Sequence, residues 1–173
     1  MTSAEGALRL QVGCGRDVLP GWVNLDIEPI PGGVRADVLH IPMRDRTFDY
    51  VLAPHVLEHN PDVKGAIAKP ARVLRPGGTL QIRAPDYRHE NAFMDLEHMH
   101  FFKPRSLESL TEGSALFRHR YPPLFPRVEV EVVREHGGYP LLPRVGRRFP
   151  RLDRRFRDRF GQRIELRFFC VKR

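Results

Sequence analysis

A glycine turn and an acid near the start of the chain have the spacing of a nucleoside-binding device. Gly13-Cys14-Gly15 follows a short apolar alternation, and Asp26 ends the next strand-like run. Glycine lets the backbone turn sharply and approach a ligand without a Cβ in the way. An acid at the tip of the neighbouring strand can accept both hydrogen bonds of a ribose diol. The pattern therefore predicts that this stretch binds a nucleoside.

A second set of candidates consists of histidines that lie near carboxylates. His98 and His100, with Asp95 and Glu97 beside them, could supply the general base of a transfer reaction. The explanation that they are polar residues around an aromatic cluster is slightly favoured over the base. Because the segment shows only two imidazoles, at positions i and i+2, the sequence predicts no metal site.

Two stretches match motifs of other enzyme classes wholly or in part, but neither has the structural context that its motif requires. Residues 55–59 read H-x-x-E-H, as in some zinc proteases, but His55 comes directly after a strand and Pro54, so we expect it in a loop. The glycine turn could also begin a dinucleotide-binding fingerprint, yet Val18 occupies the place of the third glycine. Zinc proteolysis and dehydrogenase chemistry are therefore disfavoured.

The elements that position these residues alternate between strands and helices, which is typical of a mostly parallel sheet. Apolar runs predict strands at 8–12, 22–26, 48–53 and 79–84, and helical spacing predicts a helix over 61–74, with a kink or break at Pro70. Strict alternation at 128–132 and 164–168 predicts a closing antiparallel pair. A short helix is expected over 104–110.

The connections after Gly15 and after Asp26 are too short for the usual crossover helices. One face of the sheet would then be under-covered. We hypothesise that the amphipathic segment 145–160, or a second copy of the protein, covers it, since a bare apolar face would form a large exposed patch.

Length and composition indicate one domain over residues 1–173. We divide it into a cofactor-binding half (7–86), an acceptor-side region (87–126) and the closing strands with a basic amphipathic segment (127–173). Two cysteines are too few for a disulfide framework, and no window is long and apolar enough to span a bilayer. These features predict a cytoplasmic protein without a membrane span.

The positive charge is concentrated at the carboxyl end of the chain. The formal net charge is +8, and residues 144–173 contain twelve Lys or Arg against three Asp or Glu. The arginines could form a solvated helix face, or a surface for phosphate, nucleic acid or anionic lipid. Both explanations stay open, with nucleic acid the less favoured partner.

Six segments in order resemble a class I S-adenosylmethionine-dependent methyltransferase of compact type: residues 12–15, 24–26, 36–38, 48–51, 55–59 and 72–78. The resemblance implies an α/β, Rossmann-like, mostly parallel sheet with an antiparallel C-terminal strand pair and helices reduced on one face. It also implies S-adenosyl-L-methionine as the cofactor and methyl transfer as the reaction.

The resemblance further implies a cofactor site of ten residues: Gly13, Cys14, Gly15, Asp26, Ile27, Asp37, Val38, Leu39, Ala53 and His55. In such a site the glycine turn would pass under the methionine part of the cofactor. Asp26 would take the ribose hydroxyls, and Ile27 would lie against the adenine. Asp37 would face the adenine amino group, with the backbone of 38–39 reading the ring. Residues 53–55 would border the sulfonium and the acceptor.

The sequence thus predicts methyl transfer from S-adenosylmethionine to an unidentified acceptor. The arginine-rich end favours an anionic acceptor, although the fold does not choose among acceptors. The alternative is a basic RNA-binding or interaction module that retains the fold without turnover. A homodimer through the under-covered face would be compatible with either.

Overall fold

The computed structural model describes residues 6–115, 122–136 and 162–173. Within these residues the strands are β1 (Arg9–Val12), β2 (Val23–Asp26), β3 (Val34–Arg35), β4 (Phe48–Pro54), β5 (Leu74–Pro85), β6 (Arg127–His136) and β7 (Gln162–Val171). The α-helices are α1 (Val63–Val73) and α2 (Asn91–Met94). Single 3-10 turns occur at Val38–His40, Leu57–His59 and Glu108–Leu110.

The seven strands form one sheet in the order β3-β2-β1-β4-β5-β7-β6. Strands β1 to β5 pair in parallel, whereas β7 runs antiparallel to both β5 and β6. This arrangement confirms the mostly parallel sheet and the antiparallel closing pair. Because β1, β2 and β4 are parallel, their carboxyl ends meet at one edge, where ligands bind in open α/β sheets.

The connections that were too short for crossover helices contain turns instead. No α-helix lies between β1 and β2 or between β2 and β3, both of which fall wholly within the described residues. Helix α1 follows β4, and its cap is Asp62, whose Oδ1 accepts from the Gly65 amide at 2.9 Å. Contrary to the expected break, the helix continues through the buried Pro70 to Val73. The segment 104–110 contains turns and one 3-10 turn rather than a continuous helix.

The two faces of the sheet differ in chemistry. Alternate strand residues on one face are fully buried and share a core with Ala66 and Ile67 of α1; they include Leu10, Val12, Leu25, Val51, Leu80, Ile82, Leu166 and Phe168. Register places mostly polar or aromatic side chains on the other face, among them Gln11, Asn24, Tyr50, Gln81 and Phe169. Among the described residues this second face is therefore largely polar, and Gln11, Asn24 and Gln81 on it are buried.

Some expectations concern residues for which the structure gives no description. The segment 145–160, proposed to cover the sheet, lies wholly outside the described residues. Among the helices of the described residues, none is long and apolar enough to cross a membrane.

Candidate functional site

The glycine turn sits at the carboxyl end of β1 and is fastened to β2. The amides of Gly13 and Cys14 both donate to the Leu25 carbonyl, at 2.8 and 3.2 Å. Gly13 has φ of 65° and Gly15 has φ of 51°, a region that side chains disfavour. A Cβ at Gly13 would lie 2.2 Å from a methyl group of Val56, whereas one at Gly15 would meet nothing within 4 Å. Gly13 is thus required for packing, and the turn at Gly15 is open.

Asp26 is buried at the end of β2 and is anchored to the same turn. Its Oδ2 accepts from the Gly15 amide at 2.6 Å, and its Oδ1 accepts from the Glu28 amide at 2.9 Å. A carboxylate oxygen has two lone pairs, so each retains one for a further donor. The carboxylate therefore shapes the turn and can still accept the two hydrogen bonds of a ribose diol.

Asp37 precedes the 3-10 turn Val38–His40 and caps it. Its Oδ1 accepts from the Leu39 amide at 2.8 Å. This acid therefore has a capping role in the structure, which the ligand-binding role implied by the resemblance did not include. Its second oxygen has acceptor capacity to spare, so the cap does not exclude a contact with an adenine amino group.

His55 follows β4 in a strained conformation, with φ of 51°. Its amide donates to the Arg83 carbonyl at 2.9 Å, and its ring contacts two carboxylates: Nδ1 lies 3.0 Å from Glu58 Oε1, and Nε2 lies 3.3 Å from Glu165 Oε2. Hydrogen bonds to Glu165 and Glu58 raise the pKa of His55 to about 9. Because Glu165 belongs to β7, this contact ties β7 to the turn that follows β4.

The charge on Glu165 is held by its neighbours. Burial alone would raise the pKa of this carboxyl, but hydrogen bonds from His55 and Arg167 lower it to about 2. Because His55 is protonated at neutral pH, it donates through both ring nitrogens and is not a free base there.

These groups surround one cavity of about 300 Å³ at the carboxyl edge of the sheet. Its lining consists of Gly13, Gly15, Leu25, Asp26, Ile27, Ala36, Asp37, Val38, His55, Val56, His59 and Asn60. Seven of the ten predicted cofactor residues are among them. Cys14, Leu39 and Ala53 are not: Cys14 and Ala53 are buried, and Leu39 packs against the core.

Five lining residues were not predicted: Leu25, Ala36, Val56, His59 and Asn60. Leu25 and Ala36 are direct neighbours of the two predicted acids, so adjacency was the available signal. Val56, His59 and Asn60 belong to the turn after β4, and only the fold shows that this turn closes over Gly13.

The predicted base candidates His98 and His100 do not line this cavity. The His98 ring packs edge-on against that of His59, with centroids 4.6 Å apart, and its Nδ1 lies 2.9 Å from the Ala92 carbonyl. His100 Nε2 is buried without a hydrogen-bond partner. A role of either histidine in catalysis stays a prediction.

Comparisons with known proteins agree with this geometry. Residues 10–82 match the family model of a methyltransferase domain. A solved S-adenosylmethionine-dependent methyltransferase from Archaeoglobus fulgidus superposes with a TM-score of 0.65 at 16% identity, over 96% of this chain and 87% of that one. Residues 10–82, less than half of the chain, thus resemble a methyltransferase domain, and the chain as a whole shares the fold of that solved methyltransferase.

The curated relatives share only a segment with this chain. The sterol 24-C-methyltransferase of Schizosaccharomyces pombe is 41% identical over 59 residues, which are 34% of this chain and 15% of that protein. The 27-O-demethylrifamycin SV methyltransferase of Amycolatopsis mediterranei is 47% identical over 47 residues, 27% of this chain and 17% of that one. The chain thus aligns with less than a fifth of either relative.

Fold similarity extends to a protein named for other chemistry. The cyclase SpnF superposes on this chain with a TM-score of 0.55 at 16% identity, over 95% of this chain and 75% of that one. A fold shared at such identity does not fix the reaction.

Proposed function

We propose that this chain transfers the methyl group of S-adenosylmethionine to an acceptor molecule. The observation that carries the proposal is the placement of Asp26 and Asp37 on one cavity above the glycine turn. A nucleoside presents donors at the ribose diol and at the adenine amine, and both acids have acceptor capacity left for them. The open side of Gly15 leaves backbone accessible to a ligand without a Cβ in the way.

The residues of the chain are suited to binding and orientation. When bound, S-adenosylmethionine supplies a methyl group on a sulfonium, which is already a reactive leaving group. Asp26 and Asp37 would fix the nucleoside, and the turn after β4 would hold the reacting end against the acceptor. Holding two reactants in line supplies a large part of the rate enhancement in such a reaction.

Base catalysis is needed only if the acceptor carries a proton of high pKa. His55 lines the cavity but is protonated at neutral pH, since its pKa is raised to about 9 by Glu165 and Glu58. Its charge is balanced by the carboxylates of Glu58 and Glu165, so it would hold the turn after β4 in place without acting as a base at neutral pH. The arginine-rich end of the chain supports an anionic acceptor.

The function is tested by measuring the affinity of the protein for S-adenosylmethionine and S-adenosylhomocysteine by calorimetry. We expect Asp37→Ala to weaken both at least about tenfold, the cost of about 1.4 kcal/mol expected for one lost charge-assisted hydrogen bond. Asp62→Ala is the matched control, because Asp62 also caps a helical turn through Oδ1 but does not line the cavity. It should bind both ligands like the wild type.

Asp26→Ala should nearly abolish binding, but it also removes the bonds to the Gly15 and Glu28 amides. The pair of Asp37 and Asp62 variants separates ligand contacts from loop stability. Equal affinities in the wild type and Asp37→Ala would remove Asp37 from the site, and no affinity in the wild type would refute the proposed function.

The second candidate, an RNA-binding or interaction module without turnover, is supported by the charge at the chain end alone. It predicts salt-dependent RNA binding without affinity for S-adenosylhomocysteine. The acids in the cavity favour the methyltransferase.

A further inference from the structure

A cluster of potential metal ligands adjoins the cavity at the turn after β4. Glu58, His59 and His98 each place one ligand atom within 4.8 Å of the other two. Glu58 is fully buried, the His98 side chain is only 9% exposed, and His59 lines the cavity. We propose that these three residues bind a divalent transition-metal ion, of the class of Zn²⁺, Co²⁺ or Mn²⁺, beside the cofactor cavity.

The hydrogen bonding of the cluster is incomplete in a way that an ion would complete. Glu58 uses Oε1 for His55, while its Oε2 is buried without a partner. His59 Nδ1 is also buried without one. An unpaired carboxylate oxygen in the interior has lost its water without gaining a hydrogen bond, so such atoms require an explanation. A cation held between them supplies one.

His98 is oriented as a ligand would be. Its Nδ1 lies 2.9 Å from the Ala92 carbonyl, which makes Nδ1 the donor and leaves the lone pair of the neutral ring on Nε2. Metal-binding histidines generally donate their other ring nitrogen to a carbonyl or carboxylate in this manner. The amide of Met99 donates to the Glu58 carbonyl at 2.8 Å, so the segment that carries His98 is fastened to the turn that carries the other two ligands.

Two imidazoles and a carboxylate select a transition-metal ion over Mg²⁺ or Ca²⁺, which prefer oxygen ligands. Tetrahedral ligands about 2.1 Å from one ion lie about 3.4 Å apart, so ligand atoms that are within 4.8 Å of one another must approach by at most about 1.4 Å per pair. Asp95 and Glu97 are exposed and form a second such group with His59. They could supply further oxygen ligands from the solvent side.

This site differs from the one that the H-x-x-E-H pattern suggested. In that pattern the two histidines at 55 and 59 share an ion, whereas here His55 is not a member of the cluster and its two ring nitrogens contact Glu58 Oε1 and Glu165. Its place is taken by His98, some forty residues further along the chain. The proposal does not depend on methyl transfer, because the ligands and the test are independent of the cofactor.

The test uses the full chain without a histidine tag, stripped of metal by a chelator. Equilibrium dialysis against Zn²⁺, and absorption of the protein titrated with Co²⁺, measure the number and geometry of bound ions. We expect about one ion per chain, visible d–d absorption of Co²⁺, and a higher thermal midpoint with Zn²⁺.

The variants are chosen to separate ligation from folding. Glu58→Gln keeps the shape of the side chain and an oxygen acceptor for His55, and His98→Gln removes one imidazole. Each should lower Zn²⁺ affinity at least about tenfold, as loss of a ligand does. His100→Gln is the matched control, since His100 is two residues away and outside the cluster.

Circular dichroism without metal shows which variants fold, and either of the two ligand variants suffices for the comparison. No retained ion in the wild type would overturn the proposal. Equal Zn²⁺ affinity in the wild type and in a folded ligand variant would also overturn it. The same holds if His100→Gln lowers the Zn²⁺ affinity as much as His98→Gln does.

Discussion

At the scale of single residues, Gly13 and Gly15 share a backbone conformation but differ in their surroundings. Both have positive φ, which costs a side chain about 1–2 kcal/mol per residue. Only Gly13 faces another side chain, since an added Cβ would lie 2.2 Å from Val56. The turn after β4 is therefore packed directly on the glycine turn. Because both turns line the cavity, a shift of one would displace the other.

From this difference we predict unequal costs for the two alanine variants. Gly15→Ala should lower the free energy of unfolding by about 1–2 kcal/mol. Gly13→Ala should lower it by about 1–3 kcal/mol more, because Val56 must move or the turn must open. Urea unfolding followed by circular dichroism measures both. Equal losses would mean that Val56 relaxes freely and does not hold the turn.

The sequence revealed those site residues whose chemistry is local. The glycine turn and Asp26 were found because strand, turn and acid lie within one stretch, and the cavity includes them. The grouping of Glu58 and His59 with His98 was missed, because it depends on a contact across some forty residues. Side chains that meet only through tertiary packing leave no periodic signal in the sequence.

At the scale of elements, the alternation of buried and half-buried residues along β7 assigns its side chains to the two faces of the sheet. Leu166, Phe168 and Cys170 are fully buried in the core, whereas the residues between them lie on the polar face. The alternation was readable in the sequence and placed the antiparallel pair correctly. The continuity of α1 through Pro70 could not be read from the sequence. Local steric rules predict a break at a proline, and the packing of the buried Pro70 overrides them.

We predict that two adjacent phenylalanines on β7 differ in their contribution to stability. Phe168 is fully buried and packs against Phe102, with ring centroids 6.4 Å apart. Phe168→Ala should cost about 3–5 kcal/mol in the free energy of unfolding. Phe169 is half-buried beside Gln81, and Phe169→Ala should cost about 1–2 kcal/mol. Equal costs in urea unfolding would contradict the division of the sheet into an apolar and a polar face.

At the scale of the whole molecule, the cavity at Asp26 and Asp37 and the excess positive charge belong to different parts of the chain. The cavity is lined by Asp26 and Asp37 and by no Lys or Arg among the described residues. The surplus of nine positive charges lies in residues 144–173, and the remainder of the chain is close to neutral. Two binding activities, if both exist, should therefore respond differently to ionic strength.

We predict that salt separates cofactor binding from any binding of RNA. S-adenosylhomocysteine carries no net charge, so its affinity should change less than about twofold between 50 and 500 mM salt. RNA bound through the arginines releases counterions, and its affinity should fall by several orders of magnitude over the same range. Calorimetry for the nucleoside and fluorescence anisotropy for a labelled RNA measure the two slopes on the same preparation. If the affinity for S-adenosylhomocysteine fell in parallel with that for RNA, the nucleoside would be bound by the basic segment and not by the cavity at Asp26 and Asp37. Parallel salt slopes would therefore refute the assignment of the cavity, whereas a flat slope for the nucleoside alone would place its binding where no Lys or Arg contributes.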